Sequence, residues 1–331
     1  MKAIVLQENR EFRLEIVAIP KPEPNNIQVK IMASGFNPID YQMTEDGSER
    51  KLIHSPILGR EFAGVITAIG AEVTEFKIED AVFCGSGSMG SNGTYAEYIC
   101  VPAGIAVKKP QNISFEQAAG IPSAGLTALQ SFKRMNASLT DSILITGGAG
   151  GVGNVFMKLL IAKGFTNFVV TAGNEESITS LVNLGVKPEQ IIHYKKEDIY
   201  GKALSLNGNQ KFDIAVDLVG NNVAEIAAKL LKINGTFIDV TNFSTPESRG
   251  ILFSRGATIH NISNYAYGVE KQYDYYKNGL TELSDLIENE IITTPNINVV
   301  GGLSKETVDK ALTILRENKT SGRKLIMKIN K

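Results

Sequence analysis

Ser142-Ile-Leu-Ile-Thr-Gly-Gly-Ala-Gly-Gly-Val-Gly153 is the stretch whose reading decides the fold. Gly148, Gly150 and Gly153 fall on the spacing G-x-G-x-x-G. The apolar run from Ser142 to Thr146 reads as a buried parallel strand, Val152 to Lys163 as a helix, and Phe168-Val-Val-Thr171 as a second strand. Strand, glycine turn, helix and strand within about thirty residues is the context that separates this pattern from a chance match. Glycines let the backbone turn tightly and come close to a pyrophosphate, and the helix N-terminus then presents free N–H groups and a positive dipole end. The alternative is a glycine turn packed tightly for structural reasons alone.

Outward from this motif the chain alternates strands and helices. Strands are expected at 142–146, 167–171, 190–194, 212–218, 235–241 and 257–262, with helices between most of them, which describes a doubly wound parallel six-stranded sheet. The first third is β-rich instead: Met1 to Leu6, Ile27 to Ala33 and Gly64 to Gly70 are strand-like, and Pro20, Pro22 and Pro24 stiffen the turn before the second of these. Ser114 to Met135 reads as helix interrupted around Gly120 to Gly125, with Ser114 as N-cap and Gln117 completing a capping box. The tail is helical over Glu270 to Asn289 and Lys305 to Glu317 and ends in a strand from Lys324 to Ile329. The expected domains are 123–264 for the dinucleotide-binding sheet and 1–122 with 265–331 for a second domain split around it.

Composition narrows the function classes. With 331 residues, 43% hydrophobic and 21% charged, the chain is ordinary globular material with room for two cores. A net charge of −1 without a basic block speaks against nucleic-acid or membrane-surface binding. Cys84 and Cys100 are too few for a disulfide framework, which fits a reducing compartment, and no apolar run reaches spanning length; a cytoplasmic protein is expected.

In NAD-binding sheets an acid at the end of the second strand holds the ribose 2′-hydroxyl. Here that strand ends Val170-Thr171-Ala172-Gly173-Asn174, with no carboxylate. Small neutral residues leave room for a 2′-phosphate, so NADPH is the expected cofactor; in the alternative, Glu175 bends back to the ribose.

The segments Gly35-Phe-Asn-Pro-Ile-Asp40, Leu58-Gly-Arg-Glu-Phe-Ala-Gly-Val-Ile66, Tyr95-Ala-Glu-Tyr98, Ala118 to Thr127, Gly147 to Gly153 and Gly322-Arg-Lys-Leu-Ile326 occur in an order that resembles the zinc-free medium-chain dehydrogenases/reductases of the quinone oxidoreductase and zeta-crystallin type. The resemblance covers nearly the whole chain. It implies a GroES-like β-barrel catalytic domain split around a Rossmann domain, and reduction of a quinone or an enone by NADPH. Zinc relatives carry a cysteine at the position of Asn37 and a histidine at that of Arg60. Two cysteines and three scattered histidines, His54, His193 and His260, do not supply a zinc set, so no metal is expected. Glu61, as a buried carboxylate, should pair with a nearby base.

Site residues follow from the resemblance. It places Asn37 and Thr127 beside the nicotinamide, although Asn37 also reads as an Asn-Pro turn residue. Ala149, Gly150, Gly151, Val152 and Gly153 would cradle the pyrophosphate. Gly173, Asn174, Ser177 and Tyr194 match positions around the adenosine ribose and its phosphate, and some relatives carry a lysine where Ser177 stands. Asn221, Asn242 and Phe243 match loops that close over the cofactor, and Arg323 reaches it from the near-terminal basic segment. Several relatives place a tyrosine facing the substrate at the position of Gln42; here Tyr41 comes one residue earlier and is either a catalytic proton donor or a packing residue. A structural or RNA-binding role without useful catalysis is the rival reading, as is known among zeta-crystallin-type relatives. The apolar edge strand Ala257 to Ile262 predicts a homodimer.

Overall fold

Burial alternates along Asn26–Gly35: Ile27, Val29 and Ile31 are inside while Gln28 and Lys30 are partly exposed, the period-2 pattern of a half-buried strand. In the computed structural model, which describes residues 1–241 and 244–330, this strand organises the first of two units. That unit comprises Met1–Leu126 and Asn264–Lys331, and the second comprises Thr127–Ser263. The boundaries lie at 126/127 and 263/264, where the sequence suggested 122/123 and 264/265.

In chain order the first unit begins with Lys2–Leu6 (β1), Phe12–Ile16 (β2), Asn26–Gly35 (β3), Phe62–Ile69 (β4), Ala81–Cys84 (β5), Tyr98–Pro102 (β6) and Ala106–Lys108 (β7). β1 and β2 form a separate antiparallel pair. β3 changes partner along its length, with Asn26 to Lys30 against β6 and Ala33 to Gly35 against the last strand of the chain, while β4 follows most of its other edge through two register shifts. Such shifts bend a strand and re-aim its end. The core beneath gathers Ile4, Phe12, Phe36, Leu58, Tyr95, Leu312 and Met327.

The second unit carries Ile143–Thr146 (β8), Phe168–Ala172 (β9), Ile191–His193 (β10), Phe212–Asp217 (β11), Leu231–Asp239 (β12) and Thr258–Asn261 (β13). All neighbours are parallel, in the order β10-β9-β8-β11-β12-β13. This is the doubly wound order 3-2-1-4-5-6, whose switch point lies beside β8. β8 and β9 are buried at every residue, as strands covered by helices on both faces must be. Returning to the first unit, Ile297–Gly301 (β14) and Lys324–Lys328 (β15) complete a seven-stranded sheet with β3 to β7.

One helix expectation is borne out with a later start, and another needs correcting. The helix expected over Glu270 to Asn289 is present as Tyr273–Glu288. A short helix that the sequence reading did not place, Asn264–Val269, precedes it and is stopped near Lys271, whose φ is 52°. The interruption in Ser114 to Met135 is shorter than expected, only Gly120-Ile121 between Phe115–Ala119 and Pro122–Met135. Pro122 opens the second helix, where its missing N–H costs nothing. Gly125 lies inside that helix, and its lack of a side chain leaves room for Leu283, whose Cδ1 a Cβ would meet at 2.7 Å.

Candidate active site

Three strand ends in the first unit meet at one polar cluster. Asn37 follows β3 by two residues, Glu61 immediately precedes β4, and Lys324 begins β15. The Lys324 ammonium lies 2.5 Å from Glu61 Oε1, with both side chains buried. It also donates to Asn37 Oδ1 at 2.6 Å, and Asn37 Nδ2 donates to Glu61 Oε1 at 2.8 Å. Because an ammonium only donates and a carboxylate only accepts, these two neighbours fix which way the carboxamide points. The Ser123 backbone N–H donates to Glu61 Oε2 at 2.8 Å. Gly35 makes the approach possible: a Cβ on it would come within 2.5 Å of Glu61 Oε1 and 2.6 Å of the Ala119 carbonyl.

Beneath Asn37 lies a second buried acid. Asp40 Oδ2 accepts from the Asn37 backbone N–H at 2.8 Å and the Tyr95 hydroxyl at 2.9 Å, while its Oδ1 has no partner. Burial pushes its pKa up to about 6, against the pull of those two donors and of Arg60 and Lys324.

Arg60 stands beside Glu61 but turns elsewhere. Its Nη2 donates to the Leu52 carbonyl at 3.0 Å and contacts Met43 Sδ at 3.5 Å; its Nε is buried without an acceptor. No carboxylate among the described residues forms an ion pair with it. Burial pulls its pKa below the usual guanidinium range, opposed by Asp40, Tyr265 and Tyr276. Arg60, Ser88, Met89, Ser123, Tyr265 and Tyr276 line a cavity of about 140 Å³ within the first unit. Tyr276 is anchored by donating to the Asn264 carbonyl at 2.6 Å, and burial pushes its pKa up to about 12.

In the second unit the glycine motif forms the turn from β8 into the helix Gly151–Ala162. Its N-cap is Gly150, and no side chain caps it. A Cβ on Gly148 would meet Val170 Cγ2 at 2.1 Å, and one on Gly153 would meet the Gly147 carbonyl at 2.4 Å. The loop is therefore held against β9 and folded on itself in a way only glycine permits, leaving an uncapped, side-chain-free helix N-terminus that fits a pyrophosphate. Beyond β9, the Tyr194 ring covers Gly173, where a Cβ would meet the hydroxyl at 2.2 Å. Asn174 caps the helix Glu175–Asn183 by accepting from the Ser177 N–H at 2.8 Å. Glu175 accepts from Lys196 at 2.6 Å instead of standing alone at the strand end.

The sequence-derived residues thus fall into groups. Ala149 to Gly153, Gly173, Asn174, Ser177 and Tyr194 cluster around the ends of β8 and β9. Asn221, exposed with φ 52°, opens the helix after β11. Thr127 is the first residue of the second unit, its carbonyl accepting from Ser131 Oγ at 2.8 Å. Asn242 and Phe243 lie outside the described residues. Arg323 is exposed, and it is its neighbour Lys324 that joins Asn37. Tyr41 is not in that cluster and does not line the cavity; its ring packs on the hydrophobic core with the Arg316 guanidinium 5.4 Å from its centroid. Sequence reasoning foresaw a base for Glu61 without identifying Lys324, and it missed Arg60, Tyr265 and Tyr276 as cavity residues. Five of the ten tyrosines crowd Asn264 to Tyr276, a signal that went unused. Among the described residues no three His, Cys, Asp or Glu gather as a metal set, and no helix is long and apolar enough to cross a membrane.

Residues 23–111 match the alcohol dehydrogenase GroES-like domain. The chain is 30% identical to the NAD(P)H oxidoreductase RTN4IP1, mitochondrial, of Dictyostelium discoideum, over 96% of this chain and 94% of that one. It is 28% identical to the NADPH-dependent alkenal/one oxidoreductase, chloroplastic, of Arabidopsis thaliana, over 75% of this chain and 64% of that one. It is 26% identical to a zinc-type alcohol dehydrogenase-like protein of Staphylococcus epidermidis, over 96% and 94%. The quinone oxidoreductase of Coxiella burnetii superposes with a TM-score of 0.83 at 26% identity, over 100% of this chain and 99% of that one. With a GroES-like domain, a six-stranded Rossmann sheet and full-length relatives of this kind, the chain belongs to the medium-chain dehydrogenase/reductase superfamily of oxidoreductases, quinone oxidoreductase type.

Proposed function

We propose that the chain is a zinc-independent, NADPH-dependent reductase of quinones or α,β-unsaturated carbonyls. The observation that carries this reading is the Lys324 ammonium seated on Glu61 and Asn37. The positions that resemble zinc ligands offer a carboxamide and a guanidinium, neither a thiolate nor an imidazole, and the adjacent carboxylate is already neutralised. A dication would be repelled by the buried ammonium, so these residues do not fit zinc. Without a Lewis acid, alcohol oxidation loses stabilisation of its alkoxide. Reduction of a conjugated carbonyl needs less, because the charge delocalises over an enolate or phenolate.

The second unit fits NADPH. The glycine loop would take the pyrophosphate, the absence of a carboxylate after β9 leaves space for a 2′-phosphate, and Glu175 is engaged by Lys196. Bound NADPH supplies the hydride. The chain's own part is to hold Asn37 in one orientation through Glu61 and Lys324, as a polar partner for the nicotinamide carboxamide, and to bind the acceptor in the cavity beside Arg60. The relatives named for NAD(P)H, alkenals and quinones support this reading. We further propose a homodimer through β13, one edge of which pairs with nothing among the described residues, and a reducing compartment such as the cytoplasm, since both cysteines are free and buried. The test is NADPH oxidation across a panel of quinones, enones and saturated alcohols in the presence of a chelator. Turnover of the first two classes supports the proposal, and alcohol oxidation alone overturns it.

A further inference from the structure

We infer that Arg60 is the acceptor-binding residue of this chain, holding the oxygen on which negative charge develops, and that its cavity selects a single-ring quinone or a short enone. This rests on the reductase reading above and adds the substrate size and the residue that recognises it.

Arg60 is half-buried, and a guanidinium drawn that far out of water normally forms an ion pair, because leaving its donors unmade is costly. Arg60 has none. One nitrogen is spent on Leu52 and Met43, Nε is buried without an acceptor, and Nη1 hydrogen-bonds to nothing among the described residues. Asp40 acts on it through space without contact, and its own Oδ2 is committed to Asn37 and Tyr95. The residue thus carries unspent donors at the wall of a cavity whose other polar side chains are neutral: the hydroxyls of Ser88, Ser123, Tyr265 and Tyr276 and the carboxamide of Asn264. One fixed positive charge among neutral groups suits a ligand whose oxygen is neutral on arrival and anionic in the transition state.

Size follows from volume. The cavity measures about 140 Å³; a buried space of about 150 Å³ accommodates benzene. One six-membered ring or a short enone fills it, whereas a fused second ring would project from its open side. Bound NADPH would supply the hydride to the quinone or to the enone β-carbon, with NADP⁺ as the other product. The displaced π pair moves to the carbonyl oxygen beside Arg60, and the oxyanion then takes a proton from solvent.

The test pairs binding with turnover. Calorimetry on the wild type should show benzoate, a single-ring oxyanion, binding at least tenfold more tightly than benzamide, and 2-naphthoate binding more weakly than benzoate. Arg60→Gln should erase the preference for benzoate over benzamide, lower kcat with p-benzoquinone by about 10²–10³, and leave NADPH affinity within about twofold. Arg60→Lys, which keeps the charge, should retain part of both; it also stands in if the glutamine variant does not fold. Equal affinity of the wild type for benzoate and benzamide, or an unchanged preference in a folded Arg60 variant, overturns the assignment. A wild type that binds benzoate through Arg60 yet oxidises no NADPH with any acceptor would instead overturn the reductase reading.

Discussion

Lys324 and Glu61, 263 positions apart in the chain, meet at 2.5 Å inside the first unit, and Asn37 is held between them. Removing one partner of a buried ion pair leaves an uncompensated charge, at a cost of about 3–5 kcal/mol. Lys324→Met and Glu61→Gln should each destabilise the protein by about that much. The double variant should lose less than the sum, because neither charge is then orphaned. Urea unfolding of the three variants checks this; strict additivity would show that the two side chains do not interact as described.

Asp40 gives the fold a pH dependence of definite sign. Its folded pKa of about 6 lies above the ordinary 3.8, so the protonated form is favoured by folding. The stability it contributes is full below about pH 4 and is lost as pH rises through 6, a change of about 2–3 kcal/mol. Asp40→Asn should therefore gain on the wild type between pH 4.5 and pH 7. Unfolding curves at both values measure the gap, and a gap that does not change with pH would contradict the assignment.

Legibility from sequence varied with the range of the interaction. The Ser114–Gln117 capping box was readable because both hydrogen bonds close within three residues, and the structure contains both. β8 and β9 were readable because a strand buried on both faces is apolar throughout. Arg323 and Lys324 could not be told apart: which of two adjacent basic residues faces inward depends on the register of β15 against β3, set by partners some 290 positions away. The short helix Asn264–Val269 and the start of the next at Tyr273 were hidden because the turn between them uses a left-handed backbone at Lys271, a residue with no glycine or asparagine signature.

The glycine loop should be intolerant where its backbone closes on itself. Gly153→Val would drive side-chain atoms into the Gly147 carbonyl and should weaken NADPH binding by at least about tenfold. Gly250→Ala, in a helix with open space around it, is the control and should bind as the wild type does. Fluorescence titration of both variants decides; equal affinity would remove the pyrophosphate site from this loop.

Tyr41→Phe tests a residue that sequence reading left between two roles. With its ring on the core and under Arg316, the hydroxyl should be dispensable, and kcat with p-benzoquinone should stay within about twofold. A fall approaching the 10²–10³ of a lost oxyanion donor would restore Tyr41 as the proton donor.

Assembly is checked at β13. Ile259, exposed on this edge strand, is a candidate contact for a second copy. Light scattering should show a dimer for the wild type and a shift to monomer for Ile259→Lys. A monomeric wild type at micromolar concentration would contradict the pairing.

The central claim is direct hydride delivery from NADPH to a conjugated carbonyl without a metal. Single-turnover reduction of a short enone with NADPH deuterated at the transferable nicotinamide position, under chelation, tests it in one measurement. The account predicts one deuterium at the β-carbon of the saturated product by mass spectrometry. A product without deuterium, or turnover that stops on chelation and returns with zinc, would contradict it.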